Sequence, residues 1–364
     1  PTALFGSFEK EFLEVPSEVI VTSMKENQRY FPLYDQNGKL SNHFVVVSNA
    51  ISSDSNLIIK GNEKVLRARL SDAKFFWESD LASEFSSAKL KNITYLAGLG
   101  SMYDKEIRER EIARELAKIY EKELKYEFGG EFIDELDRAV MLSKADLTTA
   151  MVYEFTDLQG IMGSYYAQYR KENHFVVEAI KEQYLPNKEG SECPKSYFSS
   201  MVALSAKLDT LMGLFSINKI PTGNKDPYAL RRAAAGIIKI VLNLNIEFDI
   251  KNILSLIAKN YTPFDLGLLE SFIYDRLYTM YNANPSVIKA CLNSGISDIK
   301  RLNSAIIALD EITKNSEFKE NFSTFKRLAN IIKDNQILAV DEKLMEHDSE
   351  RALYAAFNSL NLDI

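Results

Sequence analysis

EIARELAKIYEKEL, residues 111–124, decides the fold. Ile112, Leu116, Ile119, Tyr120 and Leu124 recur at three- and four-residue intervals. They therefore form one apolar stripe on a helix of about 3.6 residues per turn, with dense charge opposite. From about residue 90 the same period returns, and helices are expected over 138–153, 201–215, 229–244, 268–281, 302–313 and 322–333. One more amphipathic helix is expected over 341–360, with Leu344, Leu353, Ala356 and Phe357 on its apolar side. The polar run PNKEGSECP, 186–194, is the clearest break in the helical part.

Upstream the pattern is mixed. Residues 18–24 and 44–48 are rich in β-branched side chains and are predicted strands. Between them, RYFPLYDQNGKL (29–40) carries Asn37-Gly38, a strong hairpin signal, after an aromatic strand that Pro32 restricts to an edge or a bulge. Residues 62–76 then read as a helix, with Val65, Leu66, Ala68, Leu70 and Ala73 among basic residues. The fold class expected is α+β: a small N-terminal α/β domain, a mainly α-helical domain and a further helical segment.

The chain has 364 residues, enough for two or three domains, and its 46% hydrophobic content supports sizeable cores. A net charge of −7 argues against a broad, non-specific nucleic-acid clamp but allows local basic patches. No apolar run approaches the roughly 20 residues that span a bilayer. The opening PTALFGSFEKEF does not have the layout of a signal peptide. Cys193 and Cys291 make no disulfide framework, so reduced, inert thiols in a cytoplasmic protein are expected. No phosphate-cradling Walker loop, Gly-x-Ser-x-Gly elbow or short-spaced Cys/His cluster is present. GLGSMY, 98–103, reads as a helix-flanking turn.

PTGNKDPYALRRAAAG, 221–236, joins a turn to a helix start. Asp226 is an expected N-cap and Pro227 an expected first helical residue. Arg231 and Arg232 then stand near a helix end whose free N–H groups favour anions. Two readings stay open: a capped helix with a solvated basic patch, or a phosphate- or partner-facing site. Similar pairs of readings apply elsewhere. Gln28, Arg29, Tyr30 and Phe31 suit either packing across a sheet or stacking on an unpaired base. Arg67, Arg69 and Lys74 suit either solvation or phosphate contact. Glu154, Gln159, Tyr165 and Tyr166, near Gly160 and Gly163, suit either a tight helix junction or RNA contact.

The 221–236 string resembles the signature of the β subunit of bacterial two-subunit glycyl-tRNA synthetase. TSMKENQRYFPLYDQNGKL (22–40), GNEKVLRARLSDAKFFWESDL (61–81) and KADLTTAMVYEFTDLQGIMGSYYA (144–167) agree with that family in the same order. The resemblance implies an internal fragment of a longer β subunit. It implies an α/β domain over 1–88, an inactive HD-like helical domain over 89–260, and a linker leading into an anticodon-binding domain over 261–364. Active HD phosphohydrolases hold metal through His, a His-Asp pair and a further Asp. Here Lys144-Ala145-Asp146 stands at the altered pair and Asp209 at the later acidic position. A charged Lys offers no lone pair, so a metal-free scaffold is expected. Asp146 and Asp209 then become buried anchors, with Lys144 or Lys207 as available partners.

The function implied is tRNA recognition and positioning for ATP-dependent glycyl-tRNA formation with an α subunit, in an α2β2 assembly acting on tRNA(Gly). ATP would be used by the complete enzyme, with no cofactor bound by this part. No catalytic residue is assigned; the tRNA-contact candidates are Arg67, Arg69, Lys225, Arg231 and Arg232. A divergent metal-dependent HD phosphohydrolase, or a docking subunit whose helix start at Asp226 meets an acidic face of the α chain, are the alternatives.

Overall fold

A computed structural model describes residues 1–49, 54–332 and 340–359. The chain divides into two compact units, 1–306 and 307–364.

The first unit opens with β1 (Thr2–Ser7), α1 (Ser17–Thr22), β2 (Phe31–Tyr34), β3 (Leu40–Ser48) and the long helix α2 (Ser55–Ala82). The strands form an antiparallel sheet in the order β1-β3-β2. Thr2 pairs with Ser48 and Ser7 with His43, while Phe31 pairs with Val45. β2 is an edge strand, and its register shifts between Pro32 and Tyr34, as the missing Pro N–H leads one to expect. Asn37-Gly38 makes the predicted hairpin, with Asp35 Oδ1 accepting from the N–H groups of Asn37 (2.8 Å) and Lys39 (2.9 Å).

Two expectations need correction here. Residues 18–24 are not a strand but α1 and the start of a π turn over Ser23–Asn27. Val19, Ile20 and Met24 are fully buried on one side of that helical stretch, so tertiary burial overrides local β preference. Gln28, Arg29 and Tyr30 precede β2, and only Phe31 of that group lies on the strand. Tyr30 is buried, stacks on Phe44 at 4.8 Å and donates its hydroxyl to Asn62 Oδ1 at 2.6 Å.

The helical body follows a short β4 (Thr94–Leu96) and β5 (Gly100–Ser101) pair. Its main helices are α3 (Met102–Ile119), α4 (Glu121–Phe128), α5 (Ile133–Leu142), α6 (Ala150–Glu154), α7 (Ile161–Tyr169), α8 (His174–Glu182), α9 (Tyr197–Ser216) and α10 (Leu230–Leu244). Next come α11 (Ile250–Ile257), α12 (Leu266–Tyr274), α13 (Leu277–Met280), α14 (Pro285–Leu292) and α15 (Ile299–Lys314). Of GLGSMY, expected as a turn, only Gly98 and Leu99 lie in one, between β4 and β5. Ser101 then starts α3 with a reciprocal cap: its Oγ accepts from Asp104 N–H, and Asp104 Oδ2 accepts from Ser101 N–H at 2.7 Å. α9 is the hub, packed by α3, α8 and α10 and buried on nearly every side. Ser199, Ser200, Ser205 and Asp209 of α9 are therefore buried.

The helix expected over 138–153 is broken. α5 stops at Leu142, a 3-10 turn spans Ala145–Thr148, and α6 begins at Ala150. The break has an external cause. Asp80, near the end of α2, accepts from the N–H groups of Ala150 and Met151, both at 2.9 Å, and from the Tyr166 hydroxyl at 2.8 Å. The helix expected over 268–281 is likewise split into α12 and α13. α10 starts at Leu230, so Asp226 is not its N-cap and Pro227 is not its first residue. Ala229, in the left-handed region at φ 55°, occupies the cap position. Asp226 still satisfies the helix start, because its carboxylate accepts from Leu230 N–H and Arg231 N–H, both at 2.9 Å.

The second unit contains α16 (Ser316–Ile332) and α17 (Asp348–Ser359). Phe322, Phe325, Leu353 and Phe357 are exposed. Lys333 and Leu360, the ends of two predicted helices, lie outside the described residues. Among the described residues no helix is long and apolar enough to cross a membrane.

Asp80 offers a direct test of this scheme. Asp80→Ala leaves two helix-start amides and a buried hydroxyl without an acceptor, an expected loss of about 3 kcal/mol read as a lower urea midpoint. Tyr166→Phe removes one of the same bonds and should lose about 1 kcal/mol. Equal effects of the two substitutions would contradict the role given to Asp80.

Candidate functional site

The break after α5 turns Lys144 and Asp146 into the interior, where α3 and α9 bring further charges. Lys105, Glu106 and Glu109 of α3 are buried, as are Lys207 and Asp209 of α9. Asp209 is the best-satisfied member. It meets Lys105 Nζ, Arg108 Nε and the Tyr261 hydroxyl, each at 2.7 Å. Burial alone would raise its pKa, but Lys105 and Arg108 hold it below the ordinary carboxylate range. Burial likewise opposes the charge on Lys105, yet Asp209 and Glu109 keep its pKa above the usual lysine value. The available-partner expectation is corrected: Lys105 and Arg108, not Lys144 or Lys207, pair with Asp209.

Asp146 is anchored by backbone rather than by lysine. One carboxylate oxygen accepts from Gly160 N–H at 2.6 Å and Gly163 N–H at 3.0 Å. Gly163 is needed for this approach, since a Cβ there would lie 2.9 Å from Ile180 Cγ2 and 3.0 Å from that same oxygen. Gly160 and Gly163 thus mark a tight helix junction. Burial raises the Asp146 carboxyl to about 6, opposed by the two glycine amides and by Lys144. Burial also raises Glu106, again opposed by Lys144. Lys144 donates to Gln183 Oε1 and lies 3.6 Å from Glu109 Oε2, and Lys105 reaches Glu109 Oε1 at 3.0 Å. A lysine-centred network therefore fills the place where the resemblance puts an altered metal-binding pair. Among the described residues, no group of three or more His, Cys, Asp or Glu side chains is arranged to hold a metal ion.

Two clefts open beside this network and share Pro186 and Arg232. The inner one, about 440 Å³, is lined by Lys105, Lys144 and Lys207 with Glu109 and Asp157. The outer one, about 530 Å³, runs along α10 and is lined by Lys188, Arg231, Arg232, Lys239 and Arg276, with Glu189 as its acid. Arg231 and Arg232 thus share one basic surface. Arg231 Nη2 donates to Gly223 O at 2.5 Å and Arg232 Nη1 to Asn187 O at 2.9 Å, which fixes both stems and leaves other N–H donors of each guanidinium.

The other contact candidates lie elsewhere. Lys225 is exposed in the turn closed by the Thr222–Lys225 bridge. Arg67 pairs with Glu9 at 2.5 Å, Arg69 with Glu154 at 3.4 Å, and Lys74 with Glu11 at 3.2 Å. Sequence reasoning missed Lys105, Arg108, Gln183, Tyr261, Lys239 and Arg276. The four-residue spacing of Lys105 and Glu109 was a faint signal, but the same spacing is ordinary on a solvated helix face.

Asp146 carries a pH test. Its native pKa is raised, so the stability it contributes is fully present below its unfolded value, near 3.8, and is lost as pH rises through about 6. Asp146→Asn keeps an acceptor for both glycine amides and cannot ionise. Relative to this variant, the native protein should lose on the order of 3 kcal/mol between about pH 4 and pH 7. Urea midpoints of both proteins across that range check it; a constant difference would refute the assignment.

A family model described as glycyl-tRNA synthetase beta subunit matches residues 1–293. The glycine–tRNA ligase beta subunit of Helicobacter pylori strain HPAG1 is 45% identical over 375 positions, covering 99% of this chain and 53% of that protein. The Bacillus subtilis counterpart is 40% identical over 365 positions, covering 99% of this chain and 52% of its own length. That of Oleidesulfovibrio alaskensis is 38% identical, covering 100% and 54% respectively. The chain spans about half the length of the curated relatives it matches. By the extent of these matches, the chain belongs to the glycyl-tRNA synthetase β-subunit family.

Proposed function

We propose that this chain is the part of a glycine–tRNA ligase β subunit that grips the tRNA backbone and orients it for reaction on a partner α subunit. The observation that carries this reading is the outer cleft, five cations to one carboxylate on a chain of net charge −7. Such a patch attracts phosphates locally while the acidic body repels them elsewhere. Phosphate contacts would fix register, so that the 3′ end of tRNA(Gly) reaches a site where glycine, activated with ATP, is transferred. Orientation of this kind can contribute about 7–11 kcal/mol to a reaction between bound groups. Catalysis is assigned to the α chain of a cytoplasmic α2β2 enzyme, and this chain contributes no bond-making residue.

Among the five contact candidates, Arg231 and Arg232 are the strongest, because they share the cleft with three further cations. Lys225 is a more peripheral contact. Arg67 and Arg69 sit in half-exposed ion pairs, and such pairs are worth only about 0–1 kcal/mol. An RNA phosphate would displace those carboxylates at little cost.

The test uses the complete two-subunit enzyme with Arg231→Glu and Arg232→Glu together. Affinity for tRNA(Gly) should fall at least about tenfold, and the slope of log affinity against log salt should shrink by about 2, one for each lost phosphate contact. Unchanged affinity and slope would remove both residues from the interface.

A further inference from the structure

The inner cleft contains a buried cation with no anion beside it. Lys207 is only 8% exposed, and its ammonium donates to Tyr184 O at 3.2 Å. Among the described residues no carboxylate lies within 4.0 Å of it, whereas Lys105 has two and Lys144 one. Transferring an ammonium out of water is unfavourable unless a counter-charge compensates.

The fold nevertheless makes room for this side chain. A Cβ on Gly236 would lie 2.7 Å from Lys207 Cε and 3.1 Å from its Cδ. The glycine that closes the RRAAAG string thus lets the lysine stem pass α10 and hold its ammonium in the cleft wall. The charged and titratable groups acting on it come from several elements. Burial is the main effect that lowers its pKa, to about 7, and Lys144 and Arg232 add repulsion, while the Cys193 thiol and Glu109 oppose them. Glu109 is already engaged by Lys105 and Lys144, and Asp157 is an exposed residue of the lining.

We propose that the inner cleft binds a phosphate group, held jointly by the Lys207 ammonium, the Lys144 ammonium and the Arg232 guanidinium. The three cations come from three segments: the turn after α5, α9 and the first turn of α10. A tetrahedral dianion offers oxygens in three directions and enough charge for the set, whereas a carboxylate offers two coplanar oxygens and one charge. Arg232 spends one N–H on Asn187 O and keeps others for a fork-like contact. A free phosphate or pyrophosphate and the 5′-terminal phosphate of an RNA present this chemistry, whereas an internal phosphodiester has only one charge and two free oxygens. The inference does not rest on the tRNA reading, since the pocket, its buried lysine and the glycine channel stand without it.

Calorimetric titration of the full-length protein with inorganic phosphate and with pyrophosphate tests the site, at about pH 8 and in two buffers of different ionisation enthalpy. Lys207 is then largely neutral, and a bound dianion should draw a proton onto it, giving uptake approaching one proton per site. Lys207→Met keeps the stem in its channel and removes the charge. Phosphate binding should weaken at least about tenfold in this variant and the proton uptake should disappear. Arg232→Met changes an exposed residue and carries little risk to folding; it should weaken binding while leaving the uptake in place.

Displacement of the bound phosphate by tRNA bearing a 5′-terminal phosphate, but not by the dephosphorylated tRNA, would identify that terminal group as the natural source, and simultaneous binding would identify a free phosphate. Failure of either anion to bind, or equal affinity and uptake in the native protein and both variants, would overturn the proposal. Arg231 lines the outer cleft but not the inner one, so the salt dependence of tRNA binding in Arg231→Glu alone reads the outer cleft separately.

Discussion

The ion cluster around Asp209 is the constraint on which the helical body depends. α9 passes through the centre of the first unit with almost no solvent-facing side. A carboxylate placed there must find cations or N–H groups, and α3 supplies Lys105 and Arg108 while the segment after α11 supplies the Tyr261 hydroxyl. Apolar contacts alone would tolerate small rotations of α3 against α9. Three bonds of 2.7 Å from three different side chains to one carboxylate do not, so the cluster ties α3 and α9 to the segment after α11. Removing one partner would leave uncompensated charge in the core, which is far more damaging than the modest net value of the intact pairs.

That fixed geometry has a second consequence. With Lys105 engaged by Asp209 and Glu109, and Lys144 by Glu109 and Gln183, Asp209 and Glu109 are both paired within the interior. Lys207 and Arg232 line the inner cleft, and Arg231, Arg232 and Lys239 of α10 line the outer one. Glu106 Oε2 and Asp146 Oδ1 stay buried without a hydrogen-bond partner, and the clefts beside the network are electropositive. Gly236 links the two regions, because its missing side chain lets Lys207 reach from the core helix to the cleft. The Asp226 carboxylate, bonded to the first two amides of α10, fixes the point from which Arg231 and Arg232 project.

Much of the architecture was legible in the sequence because it rests on local signals. The burial of Ile112, Leu116, Tyr120 and Leu124, the Asn37-Gly38 hairpin and the edge position of the Pro32 strand all follow from periodicity and turn chemistry. The stripe is nevertheless not one helix: Tyr120 separates α3 from α4 and Ile119 is exposed. The failures occur where distant groups override local preference. Asp80 interrupts the helix expected over 138–153 from 70 residues away, and burial of Val19 and Ile20 turns a β-rich segment helical. Arg231 and Arg232 were singled out by a turn followed by paired cations, but nothing in the sequence placed Lys239, Arg276 and Lys188 beside them. The charged face of α3 misled for the same reason. Lys105, Glu106 and Glu109 have the spacing of a solvated surface, and only the facing charges of α9 and the turn after α5 explain their burial.

A localised basic trough on an acidic, rigid helical body is the central claim, and it concerns where RNA lies. The most direct measurement is a cross-linking map, by mass spectrometry, of tRNA(Gly) bound to the intact two-subunit enzyme. The expected map has its main contacts in this chain along the start of α10 and its neighbours, at Arg231, Arg232, Lys239 and Lys188. A map with abundant cross-links to this chain but none at those positions would contradict the account.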